Sequence, residues 1–286
     1  MKHISINQAK GMMIGLAVGD ALGASLEFTK PRQPKNYLRK YGTGGIWNVK
    51  EGEWTDDTAM AYGMACAIRD KKEFEPHAIM DNFVKWRMEG QFIPRGVCFD
   101  IGNTTERSIQ NYIALPYTPY KGRGDEIESG NGGLMRLAPA IISASTREMA
   151  IKQAIQSTML THGSPTCIKY SRALGEELWM GSPLQKHRNL RHPKGIDRNY
   201  VKSGGYVVET YQASMWAFYN SSSFEECVVM AVNRGHDADT TGAVAGMIAG
   251  VYYGLDAIPD HFKDKLMWYD KLEKVAIDLH NMESPN

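Results

Sequence analysis

Two segments near opposite ends of the chain carry a glycine at every fourth position, and this spacing constrains the fold more than any other sequence feature. The glycines are Gly11, Gly15, Gly19 and Gly23 in the first segment and Gly242, Gly246, Gly250 and Gly254 in the second. Residues four apart share one face of an α-helix, so each set would form a bare ridge. A glycine inside a helix costs up to about 1 kcal/mol relative to alanine. Close approach of another backbone would offset this cost, so we expect both helices to pack tightly. One arrangement that achieves this packs them against each other.

The relative direction of the two helices would decide which side chains meet at their ends. A 16-residue helix is about 24 Å long. If the helices ran parallel, Glu27, which follows the first helix, would lie far from Asp239 at the start of the second. If they ran antiparallel, Glu27 would lie beside Asp237 and Asp239.

The rest of the chain is also dominated by helical patterning, and alternation with a period of two is almost absent. The segments predicted to be helical are 5–24, 56–70, 74–89, 134–145, 147–160, 165–181, 206–220, 223–233 and 239–254. Residues 116–133 are rich in Gly, Pro and Tyr, which predicts an irregular loop. Because composition marks no linker, we expect an all-α, compact helical bundle forming a single domain over residues 1–286.

The overall charge and the cysteines limit the class of protein. Lys and Arg total 33 and Asp and Glu total 32, which leaves +1. This balance argues against nucleic acid or a membrane surface as the main partner. Four cysteines lack zinc-ligand or CxxC spacing, the first residues lack a signal-peptide pattern, and the apolar run 242–255 is too short to span a bilayer. We therefore expect a cytoplasmic protein. The sequence leaves the oligomeric state open, and we favour a monomer.

One basic stretch, residues 186–202, carries six cations against the single acid Asp197. The cations are Lys186, Arg188, Arg191, Lys194, Arg198 and Lys202. The stretch is typical of a solvated loop, and it also fits a contact surface for an acidic partner or a phosphate.

Three acidic clusters lie at predicted helix ends. They comprise Glu27 after the first helix, Asp56 and Asp57 at the start of 56–70, and Asp237 and Asp239 at the start of 239–254. Asp and Thr are common N-cap residues, so helix capping alone would explain either later cluster. Capping needs one side chain per helix end, however, and paired acids at two helix starts exceed that need.

Five carboxylates in one cleft would repel one another strongly, and divalent cations would relieve the repulsion. The ligands on offer are hard oxygens, including the hydroxyls of Thr55 and Thr240. Such a set suits Mg²⁺ or Mn²⁺ rather than zinc. Two ions are needed to balance this much charge, which predicts a two-metal hydrolytic site.

Several stretches resemble the ADP-ribosylglycohydrolase family, and most closely its bacterial ADP-ribosyl-dinitrogen-reductase hydrolase type. They are GLAVGDALGASLEF, WTDDTAMA, DIGNTTERSI, SGNGGLMRLAPA, LTHGSP, GGYVVETYQ and NRGHDADTTGAVAGMIAGVYYG. The resemblance implies an all-α bundle with a binuclear Mg²⁺ or Mn²⁺ centre. It implies that the metal ligands are Glu27, Thr55, Asp56, Asp57, Asp237, Asp239 and Thr240. Asp100, with Glu27 and Asp237, would be catalytic and lie near the ribose bond that breaks.

The resemblance also implies a set of substrate contacts. Asn103, Thr104 and Thr105 match a substrate-contacting loop, and Gly130, Asn131, Gly132 and Gly133 match a glycine-rich loop near the diphosphate. His162 with Gly163, Tyr206 and, with a less definite alignment, Glu126 match residues around bound ADP-ribose. Two positions depart from the expected pattern: the close relative type has an acid where Asn103 stands, and the family usually has a small residue at His236.

Each contact has a structural alternative. Asp100 could cap the turn before Thr104, the glycines could serve a turn through positive φ, His162 could be a core histidine, and Tyr206 could begin a helix. The resemblance implies hydrolysis of the N-glycosidic bond between ADP-ribose and a protein arginine, with the ADP-ribosylated protein as substrate and ADP-ribose as product. The alternatives are hydrolysis of serine-linked or small O-linked ADP-ribose, and non-catalytic ADP-ribose binding.

Overall fold

The computed structural model describes residues 3–181 and 195–282, and the regular secondary structure of these residues is helical. The described residues form isolated β-bridges but no β-sheet. Its twelve α-helices are α1 Ile6–Gly23, α2 Asp56–Lys71, α3 Pro76–Glu89, α4 Asn103–Ala114, α5 Ala138–Ser143, α6 Arg147–Met159, α7 Pro165–Met180, α8 Val207–Tyr219, α9 Phe224–Val232, α10 Ala238–Tyr253, α11 Asp260–Lys263 and α12 Tyr269–His280. The fold is all-α, as predicted.

Helices α1 and α10 pack against each other along their glycine ridges, and they run antiparallel. A Cβ atom added to Gly15 would lie 2.2 Å from the carbonyl oxygen of Gly246, and one added to Gly246 would lie 1.9 Å from that of Gly15. Gly11 meets Gly250 and Gly19 meets Gly242 in the same way. We call this contact the glycine seam. The close packing predicted from the glycine spacing is therefore confirmed, and its direction is the one that brings Glu27 towards Asp237 and Asp239.

The glycine seam lies at the centre of the molecule. Residues of α1 from Gly11 to Gly23 and of α10 from Ala238 to Val251 are buried on every side. Helices α2 and α12 cover α1, whereas α8 and α9 cover α10, and their buried apolar side chains form one continuous cluster. At one end of the seam the C-terminus of α1 meets the N-termini of α2 and α10, where the acidic clusters lie.

Three helices, α4, α11 and α12, were missed by the sequence prediction. Helix α12 has a regular apolar face of Leu272, Val275, Ala276 and Leu279, which the periodicity could have identified. The predicted helix 134–145 is reduced to α5, because the residues before Ala138 form turns. Residues 116–133 are irregular, with one short 3₁₀ turn at Glu126–Glu128. The part of the basic stretch up to Lys194 lies outside the described residues.

Among residues 3–181 and 195–282, every helix is too short or too polar to cross a membrane.

Candidate active site

A cleft of about 650 Å³ opens at the acidic end of the glycine seam. Four elements supply its walls: the residues after α1, the starts of α4 and α10, and the loop before α5. The predicted site residues that line it are Glu27, Asp56, Asp100, Asn103, Thr104, Thr105, Gly130, Asn131, Gly132, His162, Asp237, Asp239 and Thr240. The fold thus brings most of the predicted residues into one cavity, of a size usual for small-molecule sites.

The helix-capping explanation for the acids and threonines is wrong. Thr55 and Asp237 are the N-cap residues of α2 and α10, but neither side chain makes a capping hydrogen bond. Asp20, from the last turn of α1, caps α2 instead. Its carboxylate accepts hydrogen bonds from the backbone amides of Thr55 and Thr58, both at 2.9 Å. The side chains at the two helix starts are consequently free for another role.

The carboxylates at these helix starts converge. Oxygens of Asp20, Asp57 and Asp239 lie within 4.8 Å of one another, and so do oxygens of Glu27, Asp100 and Asp239. The two groups share Asp239. The hydroxyl of Thr55 lies between the members of the first group, 2.9 Å from Asp20 and 3.3 Å from Asp57 and from Asp239.

Burial and mutual repulsion raise the pKa values of several carboxyl groups in this cleft. Burial, with a further contribution from the charge of Asp100, raises the pKa of Glu27 to about 9. Burial and the charge of Asp237 raise the pKa of Asp100 to about 7. The pKa values of Asp56, Asp57 and Asp239 are raised well above the ordinary range by burial and by neighbouring carboxylates. These raised pKa values reflect several negative charges that lie close together without a neighbouring positive charge.

No basic side chain of the described residues forms an ion pair with these acids. The ion pairs of residues 3–181 and 195–282 all lie elsewhere. One oxygen of the fully buried Asp57, Oδ1, also lacks a hydrogen-bond partner. A buried carboxylate oxygen in this state requires an electropositive partner.

The start of α4 departs from the sequence expectation. Asn103, Thr104 and Thr105 form the first turn of α4 rather than a loop. Helix α4 begins after Gly102 with no side-chain cap, so Asp100 does not cap it. Asp100 has a φ of 52°, a left-handed conformation that is uncommon for aspartate. That backbone conformation accompanies a carboxylate placed with those of Glu27 and Asp239.

Close contacts with neighbouring side chains, rather than a turn, explain the glycines of the glycine-rich loop. Positive φ occurs at other glycines of the described chain but not at Gly130, Gly132 or Gly133, so a turn requirement does not explain them. A Cβ on Gly132 would lie 2.6 Å from Cε1 of His162, and one on Gly133 would lie 2.5 Å from Cγ2 of Thr158. The glycines instead admit the His162 ring to the wall of the cleft. His162 is buried, and burial lowers its pKa to about 3.

Of the remaining predicted site residues, one orients an acid of the cleft and several do not line the cleft. The Asn131 amide nitrogen donates to Asp237 at 2.8 Å and to Thr210 at 2.9 Å, so Asn131 orients an acid of the cleft. Thr55, Asp57 and Gly133 lie behind the surface of the cleft. Glu126, Gly163 and Tyr206 are absent from its lining. Tyr206 is the N-cap residue of α8, as its structural alternative predicted.

Sequence reasoning missed several residues of the site. Phe28, Trp47 and Met135 line the cleft, and the Trp47 indole N–H donates to the Glu27 carboxylate. Asp20 was also missed, although it is the single acid in α1 and follows a run of apolar residues and glycines from Gly11 to Gly19, which is a detectable signal. Trp47 gave no such signal, because it lies in an irregular segment 20 residues from its partner.

Comparison with known proteins agrees with this geometry. The sequence profile of the ADP-ribosylglycohydrolase family matches residues 1–286. The chain belongs to that family. This ADP-ribosylglycohydrolase is 32% identical to the ADP-ribosylarginine hydrolase Tri1 of Serratia proteamaculans (strain 568), over 97% of this chain and 80% of the relative. It is 32% identical to the ADP-ribosyl-[dinitrogen reductase] glycohydrolase of Rhodospirillum rubrum, over 91% of this chain and 90% of that one.

A solved structure of an ADP-ribosylglycohydrolase-related protein complex has the same fold. It superposes on this ADP-ribosylglycohydrolase with a TM-score of 0.82 at 32% identity, over 98% of this chain and 99% of the other. The protein is therefore a hydrolase with an all-α fold of that family.

Proposed function

We propose that this ADP-ribosylglycohydrolase cleaves the N-glycosidic bond between ADP-ribose and an arginine side chain of a protein, with two divalent cations at the acidic end of the glycine seam. The relatives named above support arginine as the linkage, since one is an ADP-ribosylarginine hydrolase. The observation that carries the proposal is the convergence of Glu27, Asp100 and Asp239, which line the cleft, with Asp57, which lies directly behind its surface.

The residues at this position fit Mg²⁺ or Mn²⁺. The donors are carboxylate and hydroxyl oxygens, the raised pKa values call for positive charge, and Asp57 Oδ1 lacks a partner. The residues that would hold the ions are Glu27, Thr55, Asp56, Asp57, Asp237, Asp239 and Thr240. The two carboxylate groups that share Asp239 would suit two neighbouring ions. When bound, such ions supply Lewis-acid polarisation of substrate oxygens.

The protein's own groups would orient the reacting bond. Asn131 fixes the Asp237 carboxylate, and Trp47 fixes that of Glu27. The glycine-rich loop lines the cleft, where its backbone N–H groups would contact the diphosphate, since such groups can cradle phosphate. A guanidine leaves readily only when protonated, because its conjugate acid has a pKa above about 12. The Asp100 carboxylate would hold the guanidinium and its proton.

The test is an assay on two matched peptides, one ADP-ribosylated on arginine and one on serine. We expect release of ADP-ribose from the arginine peptide, its abolition by excess EDTA and its return with Mg²⁺ or Mn²⁺. Cleavage of the serine peptide alone would assign the other linkage. ADP-ribose binding without turnover of either peptide would identify a non-catalytic binder, and full activity in EDTA would contradict the metal role.

The substitution Asp239→Asn tests the ligand assignment, because Asp239 belongs to both carboxylate groups. Loss of a group that only supports a metal ligand already lowers affinity or activity by about 10–100-fold. We expect a larger loss of activity and fewer than two ions per chain by elemental analysis, with the helical circular dichroism signal retained. The exposed Asp264→Asn serves as a matched control. Two tightly bound ions in Asp239→Asn would refute the assignment.

A further inference from the structure

A buried arginine that the proposed chemistry does not use lies directly behind the glycine-rich loop. Arg136 is fully buried and has no carboxylate partner among the described residues. Its guanidinium donates to the carbonyl oxygens of Gly132 and, at 3.0 Å, Ser157, and at 2.6 Å to the hydroxyl of Thr161. A cation desolvated to this degree, and bonded only to neutral acceptors, is costly. A role beyond packing would account for it.

The hydrogen bonds of Arg136 continue to the cleft through Thr161. The Thr161 hydroxyl lies 2.8 Å from Nδ1 of His162. An arginine can only donate, so Thr161 accepts from Arg136 and its own hydrogen is free for Nδ1. A hydroxyl polarised by a cation is a better donor and a poorer acceptor. Nδ1 therefore accepts, and a neutral imidazole must then carry its hydrogen on Nε2.

The other ring nitrogen faces the glycine-rich loop. A Cβ atom on Gly130 would lie 3.1 Å from Nε2 of His162, and one on Gly132 would lie 3.3 Å from it. His162 thus presents an N–H group at the wall of the cleft where an anionic substrate oxygen would lie. The same guanidinium also bonds to the Gly132 carbonyl, so it fixes both the ring and the loop.

We propose that Arg136 is a positioning residue that acts through Thr161 to hold His162 in its Nε2–H form, ready to donate to an anionic oxygen of a bound ADP-ribose group. This inference rests on the proposed function for the identity of the ligand. The hydrogen-bond state of His162 is a property of the ligand-free protein, so it can be tested separately.

The test combines ¹⁵N NMR of the histidine ring with ADP-ribose binding in Mg²⁺. We expect the Nε2–H form in the wild type, assigned with His162→Gln. Thr161→Val should lose this preference and raise the ADP-ribose dissociation constant about tenfold or more, as expected for a hydrogen bond to a charged group. Thr161→Ser, which keeps the hydroxyl, should restore both. Helical circular dichroism would verify folding of each variant.

The outcomes separate the two proposals. An Nδ1–H wild type, or an unchanged ring and affinity in Thr161→Val, would overturn the role of Arg136. If Thr161→Val does not fold, the wild-type tautomer and Arg136→Lys provide the same test, since lysine lacks the planar fork. A wild type with the Nε2–H form but no affinity for ADP-ribose would instead contradict the proposed function.

A second, independent observation is a group of basic side chains beside the cleft. Three segments meet there: the Phe28 amide donates to the His236 carbonyl at 2.6 Å, and the Asp237 amide donates to the Ser203 carbonyl at 2.9 Å. Cations cluster on these segments and are called here the basic surface. They are the exposed Lys30, Arg32, Lys35, Arg39, Lys40 and Lys202, together with the half-buried Arg198. The acids nearby in sequence are Glu27 and Asp237 of the cleft, together with Asp197 and Glu209, and Glu209 is 3.7 Å from Lys202.

The basic surface is continuous. Arg198 donates at 3.0 Å to the side chain of Gln33 and also to the carbonyl of Arg32, which joins residues 195–202 to residues 29–40. None of the five cations from Lys30 to Lys40 forms an ion pair with a described residue. On a chain with a net charge of +1, this local excess of positive charge would attract an acidic partner.

We infer that the basic surface docks acidic residues of the protein substrate around its modified arginine. The inference rests on the proposed function. The probes are two arginine-ADP-ribosylated peptides, one with flanking Asp and Glu residues and one with flanking Ser residues, together with free ADP-ribosylarginine. The variant Arg32→Glu/Lys35→Glu/Lys40→Glu is compared with Lys71→Glu/Lys85→Glu/Lys152→Glu, which makes the same charge change on exposed lysines of other helices.

In the wild type at low salt we expect the acidic peptide to have a kcat/KM at least about tenfold above the neutral one, falling with added salt. The first variant should lose this preference, and the second should retain it. Equal kcat/KM for both peptides in the wild type, or equal losses in the two variants, would overturn the docking role. Failure to cleave free ADP-ribosylarginine would contradict the proposed function itself.

Discussion

At the scale of single residues, one buried acid lies away from the cleft and carries its own pH dependence. Glu177 on α7 is 3% exposed, and its Oε1 accepts a hydrogen bond from the Tyr211 hydroxyl at 2.7 Å. Its other oxygen, Oε2, has no hydrogen-bond partner. Burial raises the pKa of Glu177 to about 7. The folded protein thus holds this carboxyl in its neutral form more strongly than the unfolded chain does.

A raised folded-state pKa predicts the sign of the effect on stability. The contribution of Glu177 is fully present below its ordinary pKa near 4.5 and is lost as the pH rises through about 7. This shift corresponds to about 3 kcal/mol. Glu177→Gln does not titrate and should therefore gain stability relative to the wild type between pH 5 and pH 8.

The measurement is urea unfolding of both proteins at pH 5 and at pH 8. The exposed Glu148→Gln is the control and should show no such change. A difference between wild type and Glu177→Gln that stays constant across this range would contradict the assignment.

Acids at helix ends could be predicted from the sequence, but the residues that hold them could not. The positions of Glu27, Asp57 and Asp239 follow from the helix boundaries, which periodicity indicates. The role of Asp20 depends on a hydrogen bond to a residue 35 positions away, and such pairing leaves no periodic signal. The same holds for Trp47, whose partner is identifiable only after folding.

At the scale of secondary-structure elements, the glycine seam sets the geometry of the site. Ridge spacing alone predicted close helix packing, because glycine's cost in a helix demands a compensating contact. Direction could not be decided from spacing, since both orientations bring bare ridges together. Helix α4 escaped prediction because its buried face includes the polar residues Thr105 and Ser108 beside Ile109 and Tyr112, which weakens the apolar periodicity.

The glycine seam gives a sharp prediction for Gly15→Ala. The new Cβ would lie 2.2 Å from a backbone oxygen of α10, which cannot move aside without separating the helices. Overpacking of this kind typically costs about 1–3 kcal/mol, and a backbone obstacle places this case at the upper end or beyond. We expect a loss of at least about 3 kcal/mol in the free energy of unfolding, despite the better helix propensity of alanine.

Gly63→Ala in α2 is the matched control. Its Cβ would lie 3.4 Å from the Phe92 ring, an ordinary contact, so the propensity gain of up to about 1 kcal/mol should be retained. Chemical denaturation of the two variants beside the wild type measures both effects. Equal stabilities for Gly15→Ala and Gly63→Ala would show that the two helices do not pack as closely as described.

At the scale of the whole molecule, the acidic end of the glycine seam links stability to cations and to pH. In ion-free protein, the pKa values of Glu27, about 9, and Asp100, about 7, are raised. The stability associated with their neutral forms is therefore lost as the pH rises through 7 to 9. Bound cations favour the ionised forms.

Saturating Mg²⁺ should consequently raise Tm more at pH 8 than at pH 5.5. An ion at 100 to 1,000 times its Kd adds about 3–4 kcal/mol, which corresponds to roughly 5–15 °C for a domain of this size. Differential scanning fluorimetry with EDTA or Mg²⁺ at each pH provides the measurement, and Asp239→Asn should show a smaller rise. Equal rises at both pH values would contradict this linkage.

The glycine seam also bears on how the protein is made. It joins α1 to α10, which begins more than 200 residues later in the order of synthesis, at Ala238. Until that later segment emerges from the ribosome, Glu27 and Asp57 have no Asp239 beside them. A nascent chain that ends before α10 cannot assemble the acidic cleft, so the cleft forms only after α10 has been synthesised.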